Sequence, residues 1–340
     1  MACSSLLHVT LLLFAVCLLS AWPSVTSDEE IEERYERWMA QYGKLYTTAE
    51  EKQRRFEVFK KNVYYIDAAN RGHRRGYSLG VNQFADLTNE EFMASYAGSG
   101  FEDPKRGTTP TTAPVHANVS RVPSSIDWRA KGAVNPIKDQ GRCGSCWAFS
   151  AVAAVEGIIQ IKKGKLLSLS EQQLVDCDTR GKNHGCQGGN KQEAFKFIRS
   201  NKGITTESDY PYQAVQGPCN RTKLAHRAAS IARYRIVWPR REKYLMKAAA
   251  AQPVSVSIDA RGSDFQFYKS GVFEGPCGTK TNHAVVVVGY GKNSTGPNYW
   301  IVRNSWGVGW GDNGYILMKK DVRSKKGLCG IATYASYPTV

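Results

Sequence analysis

The segment Gln140-Gly141-Arg142-Cys143-Gly144-Ser145-Cys146-Trp147 leads into an apolar run, Cys146 to Ile161, long enough for a buried helix that ends near Gly164. A nucleophilic cysteine acts as its thiolate, and a helix N-terminus stabilises that anion through free N–H groups and the macrodipole. Cys146 stands where this helix starts. It needs a base or imidazolium partner, and His283, 137 residues downstream at the mouth of a β-rich run, is the candidate. A third group must hold the imidazole tautomer. Asn304, at the end of the run Tyr299–Arg303, can accept from one ring nitrogen, with Trp306 covering that bond from water. Gln140 can offer its side-chain amide to a developing oxyanion, beside the backbone N–H of Cys146. The pair Cys143-x-x-Cys146 could also be redox-active or half a zinc site, but no second Cys-x-x-Cys and no βαβ pattern accompanies it.

Around this centre the sequence is mixed. Ser170-Glu171-Gln172-Gln173 reads as a capping box that opens a second helix through Asp176. Beyond Ala260, β-rich runs dominate: Ala284–Tyr290, Tyr299–Arg303 and Tyr315–Lys319, divided by Gly and Asn turns. Helices first and strands later predict an α+β body with two unlike halves. Upstream, Asp28 to Met39 sets Ile31, Tyr35, Trp38 and Met39 at helical spacing. Thr48 to Asn70 does the same with Phe56, Phe59, Val63 and Ile66, behind a Thr48/Glu51 capping box. From Gly98 to Ser120 the composition is that of an exposed linker open to proteolysis.

With 340 residues, 42% hydrophobic and 22% charged, the chain is no disordered tail, collagen-like repeat or polytopic membrane protein. Its formal charge of +16 would ordinarily suggest an anionic partner such as nucleic acid. The charge is uneven, however. Residues 1–121 carry 14 basic and 15 acidic groups, and residues 122–340 carry 32 and 15. The clusters Arg240-Arg241 and Lys325-Lys326 read as solvated faces, and no phosphate-binding loop is present, so nucleic acid is not the expected partner. His73, His116, His184 and His226 lack an obvious partner and read as surface residues.

Leu6 to Leu19 is almost wholly apolar but shorter than the ~20 residues of a spanning helix. It fits a secretory signal over 1–27, with Val25 and Ser27 before a cut at Asp28, leaving no membrane attachment afterwards. Sequons at Asn118, Asn220 and Asn293 agree with that route. Cys3 and Cys17 of the nine cysteines leave with the signal. The remaining seven make an odd number, as three bridges and one free thiol would in an oxidising compartment, in pairings that arithmetic leaves open.

Cys143-Gly144-Ser145-Cys146-Trp147 resembles the signature of papain/cathepsin L-type cysteine proteases. Asn282-His283-Ala284, Asn304-Ser305-Trp306-Gly307 and the start Val122-Pro123 with Asp127-Trp128-Arg129 are similar to the same family. Glu51, Arg55, Phe59, Asn62, Ile66 and Asn70, then Gly80, Asn82, Phe84 and Asp86, resemble its inhibitory propeptide. The resemblance implies a signal peptide (1–27), a helical inhibitory propeptide (28–121) and a peptidase domain (122–340) of papain-like two-domain fold, one half helical and the other β-barrel-like. It implies bridges Cys143–Cys186, Cys177–Cys219 and Cys277–Cys329, leaving Cys146 free. The implied activity is endopeptidase hydrolysis through Cys146, His283 and Asn304, with no cofactor and no metal. Implied partners are protein or peptide substrates, the chain's own propeptide and cystatin-type inhibitors. The enzyme is expected to be a monomer of the secretory pathway, bound for the vacuole, lysosome or extracellular fluid.

Two expectations concern details. Asn190, Lys191, Ser257, Ala284 and Tyr334 align with the family's S2 pocket, where the first two positions commonly carry an aromatic or other apolar residue and a proline or methionine. Lys191 departs from that pattern. It predicts a tighter, more polar pocket if it lines the site, and nothing if it extends to solvent. Acidic groups of the propeptide are expected to dock on the basic enzyme and to loosen when protonated. The alternative function, a catalytically silent storage, defence or binding protein, is disfavoured by the intact set Gln140, Cys146, His283 and Asn304.

Overall fold

The computed structural model describes residues 28–72, 76–97 and 122–340. The signal segment, His73 and the whole linker from Gly98 to Ser120, with His116 and Asn118, lie outside the described residues. Contacts divide the chain after Lys60 into two compact units.

In the first unit, α1 (Asp28–Tyr42) opens with Asp28, Glu29 and Glu30, which favour the positive end of a helix. Its apolar stripe of Ile31, Tyr35 and Trp38 is buried. The Tyr35 ring lies 5.2 Å from Phe56 and 5.1 Å from Phe59, both on α2 (Ala49–Arg71). Thr48 caps α2 by accepting from the Glu51 N–H at 3.1 Å. The expected reciprocal half of that box is replaced by an ion pair, since the Glu51 carboxylate takes Arg55 at 2.8 Å.

The second unit begins with the remainder of α2, followed by β1 (Tyr77–Leu79), α3 (Asn89–Tyr96), β2 (Ile126–Asp127), α4 (Cys146–Lys163), α5 (Glu171–Cys177), α6 (Lys191–Ser200) and α7 (Arg221–Leu224). Then come β3 (Arg233–Ile236), α8 (Glu242–Ala251), β4 (Val254–Ile258), α9 (Ser263–Gln266), β5 (Tyr268–Phe273), β6 (His283–Gly291), β7 (Tyr299–Arg303), β8 (Tyr315–Lys319) and β9 (Ala335–Thr339). The sheet runs β1-β5-β8-β7-β6-β4-β9-β3, with β2 on β6. Its pairings are antiparallel except for β5 with β8. The fold is α+β, with helices early and strands late.

Strands also occur where the sequence reading placed none. β3 and β4 precede Ala260, and β1 lies in the expected helical propeptide, where it extends the sheet edge at β5. In β4 the alternation Val-Ser-Val-Ser-Ile suggests one wet face, yet all five residues are buried. The serine face is turned inward, and Ser255 shares a 2.8 Å hydroxyl–hydroxyl hydrogen bond with Ser150 of α4.

Helix α4 is buried continuously from Cys146 to Ile159, as an all-round apolar helix must be. One side packs with Leu174, Phe195, Ile198 and Ile204 in the helical core. Another lies against β4, β6 and β9. At Gly157 the backbone passes so close to Pro253 that an added Cβ would sit 2.5 Å from the proline ring. The helix stops at Gly164, whose φ of +68° is the left-handed conformation a side chain resists. α5 begins as expected, with Ser170 accepting from the Gln173 N–H at 3.0 Å. The Gln173 carboxamide, however, accepts from the Thr205 N–H at 2.8 Å and so ties a distant loop to the helix start.

Beside the helix a buried ionic network forms. Lys138 Nζ lies 2.7 Å from Glu171, 3.7 Å from Glu156 and 3.6 Å from Glu207, and Arg303 lies 3.6 Å from Glu156. Burial pushes the Glu171 carboxyl up to about 8 against the attraction of Lys138, which is itself held above the ordinary lysine value. Protonating Glu171 balances two remaining carboxylates against two cations. A carboxyl raised above its ordinary 4.5 binds its proton more tightly in the folded state. Its contribution is therefore complete below that value and is lost as pH rises through about 8. Calorimetry across this range should show Tm falling with rising pH, and Glu171→Gln should flatten the slope. Lys138→Met removes the cation facing Glu171, Glu156 and Glu207, leaving Arg303 at Glu156 alone, and should cost about 3–5 kcal/mol in denaturant unfolding.

Candidate active site

Cys146 is the first residue of α4 and is buried. Ser145 precedes it as N-cap but makes no side-chain cap, its hydroxyl pairing with the Tyr212 hydroxyl at 2.6 Å. Gly144 donates its N–H to the Cys186 carbonyl at 2.8 Å, and a Cβ there would meet that oxygen at 2.5 Å. This close approach accompanies the Cys143–Cys186 bridge, with an S–S distance of 2.07 Å. The other bridges are Cys177–Cys219 and Cys277–Cys329, and Cys146 is the free cysteine among the described residues.

His283 opens β6, and Asn304 directly follows β7. The His283 Nε2–Asn304 Oδ1 distance is 2.8 Å. The same Oδ1 accepts the Ser305 N–H at 2.8 Å, which fixes the amide orientation and makes Nε2 the protonated ring nitrogen. Nδ1 is buried and takes no hydrogen bond. Trp306 stacks on the imidazole at 4.5 Å between centroids. Ala284, the residue after His283, pairs in register with Ser257 of β4, and α4, which Cys146 opens, packs on β6.

Gln140 is held from both ends. Its Oε1 accepts the Ser305 hydroxyl at 2.7 Å, and its Nε2 donates to the Cys143 carbonyl at 2.9 Å and the Tyr96 carbonyl at 3.2 Å. The Tyr96 contact comes from the α3 segment, which the sequence reading did not assign to the site. Thr88 and Glu91 form a complete capping box at the start of α3, a spacing legible in the sequence but unread. Further contacts seat this segment. Gln83 donates to the Trp306 carbonyl at 2.6 Å, Asn82 donates to the Gln266 carbonyl at 2.8 Å, and Phe92 meets the Trp306 ring at 5.0 Å. The hydroxyls of Tyr65 and Tyr77 both donate to Asp264, so the acid in this contact belongs to the enzyme body and not to the propeptide as expected.

Burial dominates the electrostatics. It pushes the Cys146 thiol up to about 11, although backbone N–H groups and Lys191 oppose the shift. Burial also pushes His283 down to about 4, against the hydrogen bond to Asn304. Both shifts oppose the charged forms. The expected stabilisation of a thiolate by the helix N-terminus is present but outweighed by desolvation.

The five residues expected at S2 come together. Asn190 Nδ2 donates to the Tyr334 hydroxyl at 2.9 Å, Lys191 bonds Ser257 Oγ, and Lys191 Nζ lies 4.4 Å over the Tyr334 ring. Ser257 and Ala284 are register partners on β4 and β6. Lys191 is fully buried, so the solvent placement does not hold. Elsewhere, Asn220 caps α7 and Asn293 closes a short turn on Thr295, both exposed. His226, expected to lack a partner, sits 3.0 Å from Asp209. Arg240, Arg241 and Lys325, distant in sequence, rim one open hollow of about 420 Å³ with Lys243 and Arg323.

Comparison with known proteins agrees with this geometry. Residues 122–339 match the papain family cysteine proteases, and residues 35–92 match the cathepsin propeptide inhibitor domain. The chain belongs to the papain family of cysteine proteases, as a zymogen carrying its propeptide. Senescence-specific cysteine protease SAG39 of Oryza sativa subsp. indica is 51% identical over 96% of this chain and 98% of its own length. Ananain of Ananas comosus is 46% identical over 99% and 97%. A recombinant stem bromelain precursor superposes with a TM-score of 0.84 at 48% identity, covering 91% of this chain and 99% of that one.

Alkylation of Cys146 by iodoacetamide should track the closure. In the intact chain the rate should rise with an inflection near about 11. After propeptide removal the inflection should fall below the free-thiol value of ~8.5.

Proposed function

We propose that this enzyme is an endopeptidase of the secretory pathway working through Cys146, His283 and Asn304. The observation that carries the reading is the imidazole fixed by Asn304 through Nε2 with Nδ1 left bare, while Cys146, the free thiol among the described residues, stands at a helix start. Nδ1 takes the Cys146 proton as sulfur attacks the peptide carbonyl carbon. The oxyanion is met by Gln140 Nε2 and the Cys146 N–H. The imidazolium then gives its proton to the departing amine, leaving a thioester. Water attacks that carbonyl, with His283 as base, and the acid product and thiol are released.

Inhibition follows from the same geometry. The Tyr96 carbonyl takes the Gln140 donor that an oxyanion would need, and the covering segment keeps the thiol and imidazole neutral. Three disulfides suit an oxidising compartment and a secretory route to the vacuole, lysosome or extracellular fluid. No specific observation favours the silent storage or defence reading.

Covalent labelling by an epoxysuccinyl thiol-protease inhibitor after acid activation, located by mass spectrometry, tests the assignment. Label at Cys146 and peptide hydrolysis abolished by Cys146→Ser are the expected results, while an unlabelled, inactive protein would favour the silent reading. Asn304→Ala should lower kcat/KM by roughly 10²–10⁴-fold while leaving labelling slow but detectable. Asp264→Asn should speed activation, because two propeptide tyrosines lose a charged acceptor.

A further inference from the structure

Lys191 has no part in the chemistry described above, yet it bonds Ser257, the register partner of the residue that follows His283. It is 0% exposed and is the first residue of α6, immediately after the N-cap Asn190. Both features work against a cation: the helix N-terminus carries positive partial charge, and burial removes hydration. Burial accordingly pushes the amine well below the usual lysine range, and the influence opposing it is Cys146.

The surroundings are polar and ordered. Nζ bonds the Ser257 hydroxyl and lies 4.4 Å over the Tyr334 ring, and the Tyr334 hydroxyl is held by Asn190 Nδ2 at 2.9 Å. Ser257 pairs in register with Ala284, the residue that follows His283. The amine is thus carried on α6 to the wall formed by β4 and β6, next to the site of attack. An unbranched apolar side chain of similar length would fill the same space without the desolvation cost. What a lysine adds there is a donor that becomes a full cation once an anion enters. A desolvated ammonium–carboxylate contact is among the stronger polar interactions, and its partners sort by charge as well as by shape.

We propose that Lys191 selects the substrate, and that this enzyme prefers peptides carrying Glu or Asp at the residue immediately N-terminal to the one that bears the scissile carbonyl. The proposal rests on the endopeptidase reading above. The carboxylate of the entering side chain accepts from Nζ while the amine takes a proton from solvent, and Ser257 and Tyr334 keep their contacts on its other side. Ala284 and the rest of the β6 wall leave the thiol free to attack.

The test is a positional scan of fluorogenic peptides with Glu, Gln, Leu and Phe at each of the four residues before the cut. The full chain is activated by acid and its active sites are counted with the epoxysuccinyl inhibitor. Glu should exceed its neutral isostere Gln by about tenfold or more in kcat/KM at the second position. Lys191→Met should invert the order to Leu over Glu, and Lys191→Arg should retain part of the Glu preference. Labelled wild-type enzyme that shows no Glu preference over Gln overturns the proposal, whatever the variants do. A Glu preference that survives Lys191→Met overturns it as well. Absence of label at Cys146 overturns the endopeptidase reading, and the Lys191 proposal with it.

Discussion

Helix α4 cannot face water on any side. Its first fourteen residues, Cys146 to Ile159, are all buried, so the chain has to enclose it. Helices supply one wall, through Leu174, Phe195 and Ile198. The sheet supplies the other, through the serine face of β4 and the apolar run of β6. Enclosure of this kind fixes both ends of the helix. The helix packs on β6, the strand that His283 opens, and Asn304 arrives at the end of the adjacent strand β7. The site's position follows from where a predominantly apolar helix must be buried.

Desolvation then sets the chemical state. The helix N-terminus favours a thiolate at Cys146, and Asn304 favours a charged imidazole, but burial outweighs both in the closed form. The segment Gln83 to Tyr96 contributes to the closure through Trp306 and Gln140. The segment thus accepts from Gln140 through the Tyr96 carbonyl and packs on Trp306, which itself stacks on His283. The same low dielectric makes Lys191 and the Glu171 network sensitive to charge. Each is a buried ionisable group whose protonation depends on what lies against it.

Much of this was legible beforehand where the signal was local. The run from Cys146 to Gly164, the Ser170 cap, and the strands near His283, Tyr299 and Tyr315 follow from periodicity and capping residues. The failures share a cause. β4 was not read as a strand, and its serines are buried because they bond α4 and α6, while β1 is a strand where β5 offers it an edge. Gln173 and Glu51 satisfied half of their boxes and spent their side chains on a distant loop and on an arginine.

By itself the sequence placed Cys146 at the start of an apolar helix and marked His283 and Asn304 as its candidate partners, because a thiolate needs a helix start and an imidazole needs an acceptor. It also determined the division into a nearly neutral leading part and a strongly basic enzyme. Only the tertiary structure decided the charge state of that pair, the placing of the Tyr96 carbonyl on Gln140, and the burial of Lys191. These depend on how much water remains and on which distant groups face one another. Spacing along a chain specifies residue types and local geometry, whereas hydration and long-range contact exist only once the walls have closed.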